Sequence, residues 1–221
     1  MPKDIIVCVD CEGEYEQIKR IWNVIQKREI KVNFFFVGET VKNNKSLIKE
    51  ISTYHNVDSH TLSHHNLRKL TKEQQRSEIL KGKEIVEEAI GRVTYGFRAP
   101  YYFINRDTVE ILNEEKFVYD LSGLYFRYNM KNVIEIRPSW FREWTNLYDW
   151  IGFSPHTAWG IYKILFRLFK PFVMPVHPHY SGRDDKFAKA MEDFFIFAKE
   201  HSARFLHIPE YLNEKGLWKA K

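Results

Sequence analysis

The sequence predicts an α/β domain whose strands are mainly parallel. Two observations carry that reading. Short continuous apolar runs, rich in β-branched and aromatic residues, recur along the chain and read as strands buried on both faces. Between them lie segments with apolar residues at helical spacing. Strand and helix alternate from end to end with no repeat and no flexible linker. The 221 residues therefore read as one domain, 1–221, whose sheet is either open or closed as a barrel.

Each element has its own warrant. Ile5-Ile6-Val7-Cys8-Val9 is the first strand, ended by Asp10, Glu12 and Gly13. Tyr15 to Lys27 sets Ile18, Ile21, Trp22 and Ile25 at helical spacing. Val32 to Val37 is a second strand, broken by Gly38, and a helix follows across Val41 to Ile51. Asn56 to Ser59 is a short extended segment that delivers His60. Thr71 to Ile90 is the clearest helix: Thr71 and Gln74 form a capping-box pattern, and Gly91 follows its end. Tyr95 to Arg98 reads as a strand running into Ala99-Pro100, Asp107 to Lys116 as a helix, and Phe117 to Asp120 and Val133 to Ile136 as strands. Pro138 to Gly160 is rich in Trp, Pro, Ser and Thr with weak periodicity, and reads as a long irregular loop over a site. Ile161 to Phe169 is a short helix, Phe172 to Val176 a strand ending at His177, Lys186 to His201 a helix, Arg204 to His207 a last strand, and Pro209 opens a final short helix.

Composition narrows the function. Hydrophobic residues make up 44% of the chain and aromatics 16%, enough to build a core. The formal charge of +5, from 34 basic and 29 acidic residues, suits a neutral or anionic substrate. The basic residues are spread out, with no patch or RNA-binding motif, so nucleic acid is not an expected partner. Cys8 and Cys11 are the only cysteines and imply no disulfide framework. Their CxxC spacing invites a redox or zinc reading, but on a strand residues three apart face opposite sides. The longest apolar tract, Ile161 to Val176, is broken by Lys163, Arg167, Lys170, Pro171 and Pro175 and is not a membrane span. Met1-Pro2-Lys3-Asp4 runs straight into the first strand without a signal-peptide pattern, so the expected location is the cytoplasm.

In α/β folds active sites gather at the C-terminal ends of strands. The polar residues there are Asp10 and Glu12, His60 and His64, Arg98, Asp120, and His177 and His179. Each alone has an ordinary explanation, such as a helix cap, a salt bridge, a turn or a core-edge histidine. At corresponding ends of consecutive strands they favour a metal hydrolase. His60 and His64, in Ser59-His60-Thr61-Leu62-Ser63-His64-His65-Asn66-Leu67, stand four apart, a spacing that shares one face of a helix. Two neutral imidazoles suit zinc and similar ions, which need further ligands from elsewhere in the chain.

These motifs, in this order, resemble the polysaccharide deacetylases of the NodB-homology type, also called carbohydrate esterase family 4. Val9-Asp10-Cys11-Glu12-Gly13 lies where that family has its first acidic motif. His60-Thr61-Leu62-Ser63-His64 matches H-[ST]-x-x-H, and Arg98-Ala99-Pro100-Tyr101 matches R-x-P-[YF]. Asp120-Leu121-Ser122 resembles the D-x-S of the fourth motif, Val176-His177-Pro178 stands at the last histidine, and Phe205 to Leu212 resembles the closing strand and helix. The resemblance implies a distorted (β/α) barrel and a divalent metal, zinc the expected one, held by one carboxylate and two histidines. The implied reaction is hydrolysis of the N-acetyl group of an acetylated amino sugar or glycan.

Carried over residue by residue, the resemblance makes His60 and His64 metal ligands. Arg98 orients the base, and the Tyr101 backbone N–H meets the oxyanion. His177 is the general acid, tethered by Asp120. The commonest first motif has two adjacent aspartates. Here Cys11 stands second and Glu12 follows, so Asp10 is taken as base and Glu12 as ligand, with the roles exchangeable and a Cys11 thiolate the lesser alternative. On a strand Asp10 and Glu12 share a face. Tyr125 stands where the fourth motif usually has tryptophan. His179 and His156 have no family counterpart, and His55, His65, His201 and His207 read as structural or surface residues. Trp140, Trp144, Tyr148, Trp150 and Trp159 are candidates either for stacking on sugar rings or for packing the long loop. The competing readings are a related amide or ureide hydrolase and a non-catalytic glycan-binding relative.

Overall fold

The computed structural model describes residues 2–123, 128, 130–139, 143 and 152–219. Its strands are β1 (Lys3–Cys11), β2 (Asn33–Phe36), β3 (Asn56–Ser59), β4 (Gly96–Phe97), β5 (Tyr119–Asp120), β6 (Ile134–Glu135), β7 (Phe172–Val176) and β8 (Ala203–Phe205). Its helices are α1 (Tyr15–Arg28), α2 (Gly38–Asn43), α3 (Lys45–Tyr54), α4 (Lys72–Ile90), α5 (Arg106–Glu114), α6 (Pro155–Leu168), α7 (Pro178–Ser181), α8 (Asp185–Glu200) and α9 (Ile208–Glu214). The chain divides into two compact units, one made of Met1–Asn33 and Ser139–Lys221, the other of Phe34–Pro138.

In the first unit β1 lies between two parallel partners. Ile5 to Val9 pair with β7, and Lys3 to Ile5 pair with β8. A strand paired on both edges and covered on both faces should be apolar throughout, and Ile5, Ile6, Val7, Cys8 and Val9 are all fully buried. The core is aromatic. Trp159 of α6 packs against Phe194 of α8 with centroids 5.4 Å apart, and Tyr162 and Phe172 join the same cluster. Asn33 is a buried tie: its amide donates to the carbonyls of Val7 and Leu206, both at 3.2 Å, and its oxygen accepts from the Ile208 N–H at 2.7 Å.

The second unit carries β2 to β6 in sequential order, and the pairs β3–β4, β4–β5 and β5–β6 are parallel. Leu67, Ile79, Phe97, Ile111, Leu112 and Phe117 form its core. Helix α4 has the expected capping box between Thr71 and Gln74 and ends on Gly91 in the left-handed conformation, φ 72°.

Two expectations need correcting. The helix foreseen across Val41 to Ile51 is two helices, α2 and α3, parted at Asn44. Its backbone leaves helical geometry (φ −136°, ψ 25°) and its side-chain amide donates to the Thr40 carbonyl at 2.7 Å, an alternative to helical pairing. The irregular stretch from Pro138 also ends earlier than Gly160. Helix α6 starts at Pro155, with the Ser154 hydroxyl accepting from the Thr157 N–H at 3.1 Å and proline at the first helical position. Trp159 is therefore a core residue, 1% exposed, and its reading as a sugar-stacking residue falls. Trp140, Trp144, Tyr148, Trp150 and Tyr125 lie outside the described residues. Among the described residues no helix is long and apolar enough to cross a membrane.

Candidate active site

In the second unit the two histidines are brought together by a turn, not a helix. The chain after β3 reverses through Thr61 (φ 67°) and His64 (φ 59°), which sets the His60 and His64 rings 5.0 Å apart. Left-handed residues are costly for side chains with a Cβ, so neighbours must hold them. Helix α2 does so with its first N–H groups: Gly38 and Glu39 donate to the carbonyls of Thr61 and Leu62, each at 2.9 Å. Glu78 of α4 takes both the N–H and the hydroxyl of Ser63, at 3.0 and 2.8 Å. Gly82 of α4 makes the close approach feasible, because a Cβ there would lie 2.3 Å from the Thr61 carbonyl carbon.

His60 is 2% exposed and donates from Nδ1 to the Arg98 carbonyl at 2.7 Å. That bond fixes the tautomer with the lone pair on Nε2, an arrangement usual for a metal-bound histidine. Two imidazoles brought this close are donors of the kind that suit a divalent metal. Arg98 is itself buried, with its guanidinium 4.7 Å from the Tyr102 ring and bonded to the Tyr102 hydroxyl. Tyr101 is exposed, sits at φ 58°, and sets its ring 4.8 Å from that of His64, tilted at 59°.

Asp120, at the end of β5, holds the Arg98–Tyr101 turn in place. Its carboxylate accepts from the Ser122 N–H at 2.9 Å and hydroxyl at 2.6 Å, and the Ser122 hydroxyl accepts from the Ala99 N–H at 2.7 Å. Burial raises the Asp120 pKa to about 7, against the bonds from Ser122; the nearby Glu135 charge adds to the rise and Arg98 opposes it.

In the first unit β1 ends at Cys11, and the Glu12 N–H donates to the Asp10 carbonyl at 3.1 Å. The strand alternation expected to carry Asp10 and Glu12 to one face thus stops short. A tight turn delivers Glu12 instead. Asp10 is buried and its Oδ2 lies 3.4 Å from His177 Nε2; Glu12 Oε1 lies 3.5 Å from His179 Nδ1. Cys11 is fully buried, and burial followed by the charges of Asp10 and Glu12 pushes its thiol well above the ordinary range. Neither cysteine is in a disulfide.

The carboxylate on His177 Nδ1 is Glu143 at 2.9 Å, in place of the expected Asp120. Glu143 also accepts from the His177 N–H and the Ser181 hydroxyl, and is 1% exposed. Burial alone would lower the His177 pKa; hydrogen bonds and charge from Asp10 and Glu143 outweigh it and raise the value to about 10. Nothing in the sequence marks Glu143, which lies in the stretch without periodicity, where one glutamate among aromatics carries no spacing signal.

Comparison with known proteins bears on the family and the fold. The family profile for polysaccharide deacetylase matches residues 2–119. A peptidoglycan-N-acetylglucosamine deacetylase of Bacillus cereus is 23% identical over 207 residues, which take in 93% of this chain and 67% of that protein. A crystal structure from Mycobacterium smegmatis, assigned to the polysaccharide deacetylases, superimposes with a TM-score of 0.79 at 18% identity, over 100% of this chain and 93% of that one. A carbohydrate esterase family 4 pseudoenzyme from Bacillus anthracis gives 0.70 at 20% identity, over 96% and 66%. These likenesses show the fold, an α/β architecture of (β/α)-barrel type with parallel strands.

Proposed function

Because the chain belongs to the polysaccharide deacetylase family, we propose that it hydrolyses the N-acetyl group of an acetylated amino sugar or glycan and releases acetate. The observation that carries the reading is His177 held between Asp10 and Glu143. An imidazole with one carboxylate fixing Nδ1 and another facing Nε2 is a general acid beside a general base.

His60, His64 and Glu12 would hold one divalent ion, with zinc the expected one. Bound there, the ion would polarise the acetyl carbonyl and acidify a water. The protein's own part is proton transfer and placement. Asp10 takes the proton from the attacking water. His177 enters protonated, gives its Nε2 proton to the departing amine, and so turns an amide nitrogen into a neutral leaving group. Glu143 keeps the imidazole in one orientation throughout. Arg98 orients Asp10, and the Tyr101 N–H stabilises the developing oxyanion. Asp120 acts one step removed, through Ser122 and Ala99, by fixing the turn that carries both.

The second reading is a non-catalytic glycan binder. The Bacillus anthracis likeness and Cys11 in the first motif motivate it. Acetate release decides between them. Zinc-reconstituted protein, given N-acetylated sugar nucleotides, chitooligosaccharides and peptidoglycan fragments, is expected to release acetate from at least one, and His60→Ala is expected to abolish both the release and stoichiometric metal. No acetate from any substrate, together with unchanged metal content in H60A, would overturn the reading.

A further inference from the structure

Two features depart from the commonest form of the family motifs. Glu12, taken above as the third metal ligand, stands two places after the base, and His179 has no counterpart. The structure places them against each other. The chain after β1 presents Asp10 and Glu12, spaced by two; the chain after β7 presents His177 and His179, spaced by two. The pairs match in register: His177 Nε2 is 3.4 Å from Asp10, His179 Nδ1 is 3.5 Å from Glu12, and the two imidazole centroids are 5.5 Å apart. The backbone is shaped for this. A Cβ on Gly13 would lie 3.0 Å from the Pro178 Cβ and 3.4 Å from the His179 nitrogen, so glycine lets the segment after Glu12 pass close to α7. The His179 ring is itself held against Tyr180, with centroids 4.0 Å apart.

We propose that His179 is a positioning residue for the metal ligand Glu12, a role that rests on the ligand set given above. Glutamate has one more rotatable bond than the aspartate usual in the family, so its carboxylate is less pre-organised and loses more freedom when it binds a metal. An imidazole N–H facing Oε1 would limit that freedom beforehand. Ligating carboxylates are commonly held by such a bond from outside the ligand set, and its loss weakens metal binding roughly 10–100-fold. The longer ligand and the unmatched histidine are thus two halves of one device.

The test is zinc affinity of the full chain, measured by competition with a chromogenic chelator, without substrate. His179→Ala is expected to weaken zinc roughly 10–100-fold. His179→Gln, whose amide still donates, should recover part of the loss. In the Glu12→Ala background the further change H179A should cost nothing, because the group it positions is gone. Far-UV circular dichroism and thermal melts of the metal-free variants, matching the wild type, exclude unfolding as the cause. Wild-type zinc affinity in H179A, or an equal loss in the E12A background, overturns the proposal. A wild type that takes up no zinc overturns it together with the ligand set. A wild type that binds zinc through these residues but releases no acetate defeats the deacetylase reading alone.

Discussion

Asp120 shows how one buried residue can hold a turn it does not itself belong to. Its two oxygens are spent on Ser122, whose hydroxyl in turn holds Ala99. A carboxyl buried this deeply binds its proton more tightly folded than unfolded, with a pKa of about 7 against 3.8. The sign follows from linkage. The folded pKa is the higher one, so the stability contribution is full below 3.8 and is lost as pH rises through about 7. In Asp120→Asn that dependence should vanish. Melting temperatures of the metal-free wild type are expected to fall between pH 4 and pH 7 by more than those of D120N; identical slopes would sink the assignment. Asp120 was legible in the sequence as a motif residue, but its partner was not. The Asp120–Ser122 spacing gave no sign that the hydroxyl would turn to Ala99, and nothing local marked Glu143 as the carboxylate on His177. Contacts between residues 34 positions apart follow from tertiary packing, and one sequence carries them only through a motif.

At the scale of elements, local rules did well where a segment's own chemistry decided its structure. The Thr71–Gln74 capping box and Gly91 bounded α4 because caps and left-handed ends are local effects. The buried runs of β1 and β7 were plain because strands covered on both faces need apolar residues throughout. The start of α6 was hidden because its first turn, Pro155-His156-Thr157, shows no apolar spacing although Ser154 caps it. The histidine pair lies on a turn where its spacing predicts a helix, since i,i+4 spacing fits both a helix and a doubled-back turn. That turn depends on α4 through Gly82. In Gly82→Ala the added methyl would meet the backbone of Thr61, and the loop or the helix must move. Overpacking of this kind costs about 1–3 kcal/mol. Because the displaced backbone carries His60 and His64, zinc affinity is expected to drop as well. A variant that melts lower yet binds zinc as the wild type does would show that the turn keeps its shape without this contact.

Across the whole molecule, both units follow one plan: parallel strands deliver polar side chains at their C-terminal ends, and turns stiffened by neighbouring helices aim them. Asp10 and His177 meet within the unit made of residues 1–33 and 139–221, while His60, His64, Arg98 and Asp120 belong to residues 34–138. The Asp10–His177 pair and the His60–His64 pair are thus built on separate cores. The alternation of strand and helix foretold the class of fold. The division into these units is not visible in composition, because no linker-like stretch marks either boundary.

The burial of β1 has a use beyond catalysis. The chain has two thiols, Cys8 and Cys11, and both lie on this strand at 0% exposure. An alkylating reagent can reach neither until β1 parts from β7 and β8, so labelling kinetics under native conditions become a stopwatch for opening of that unit. The apparent opening free energy from slow thiol labelling is expected to equal the global unfolding free energy from urea titration. Reaction within minutes in native buffer would reveal a cheaper route that frees the strand carrying Asp10 while the remaining structure stays intact.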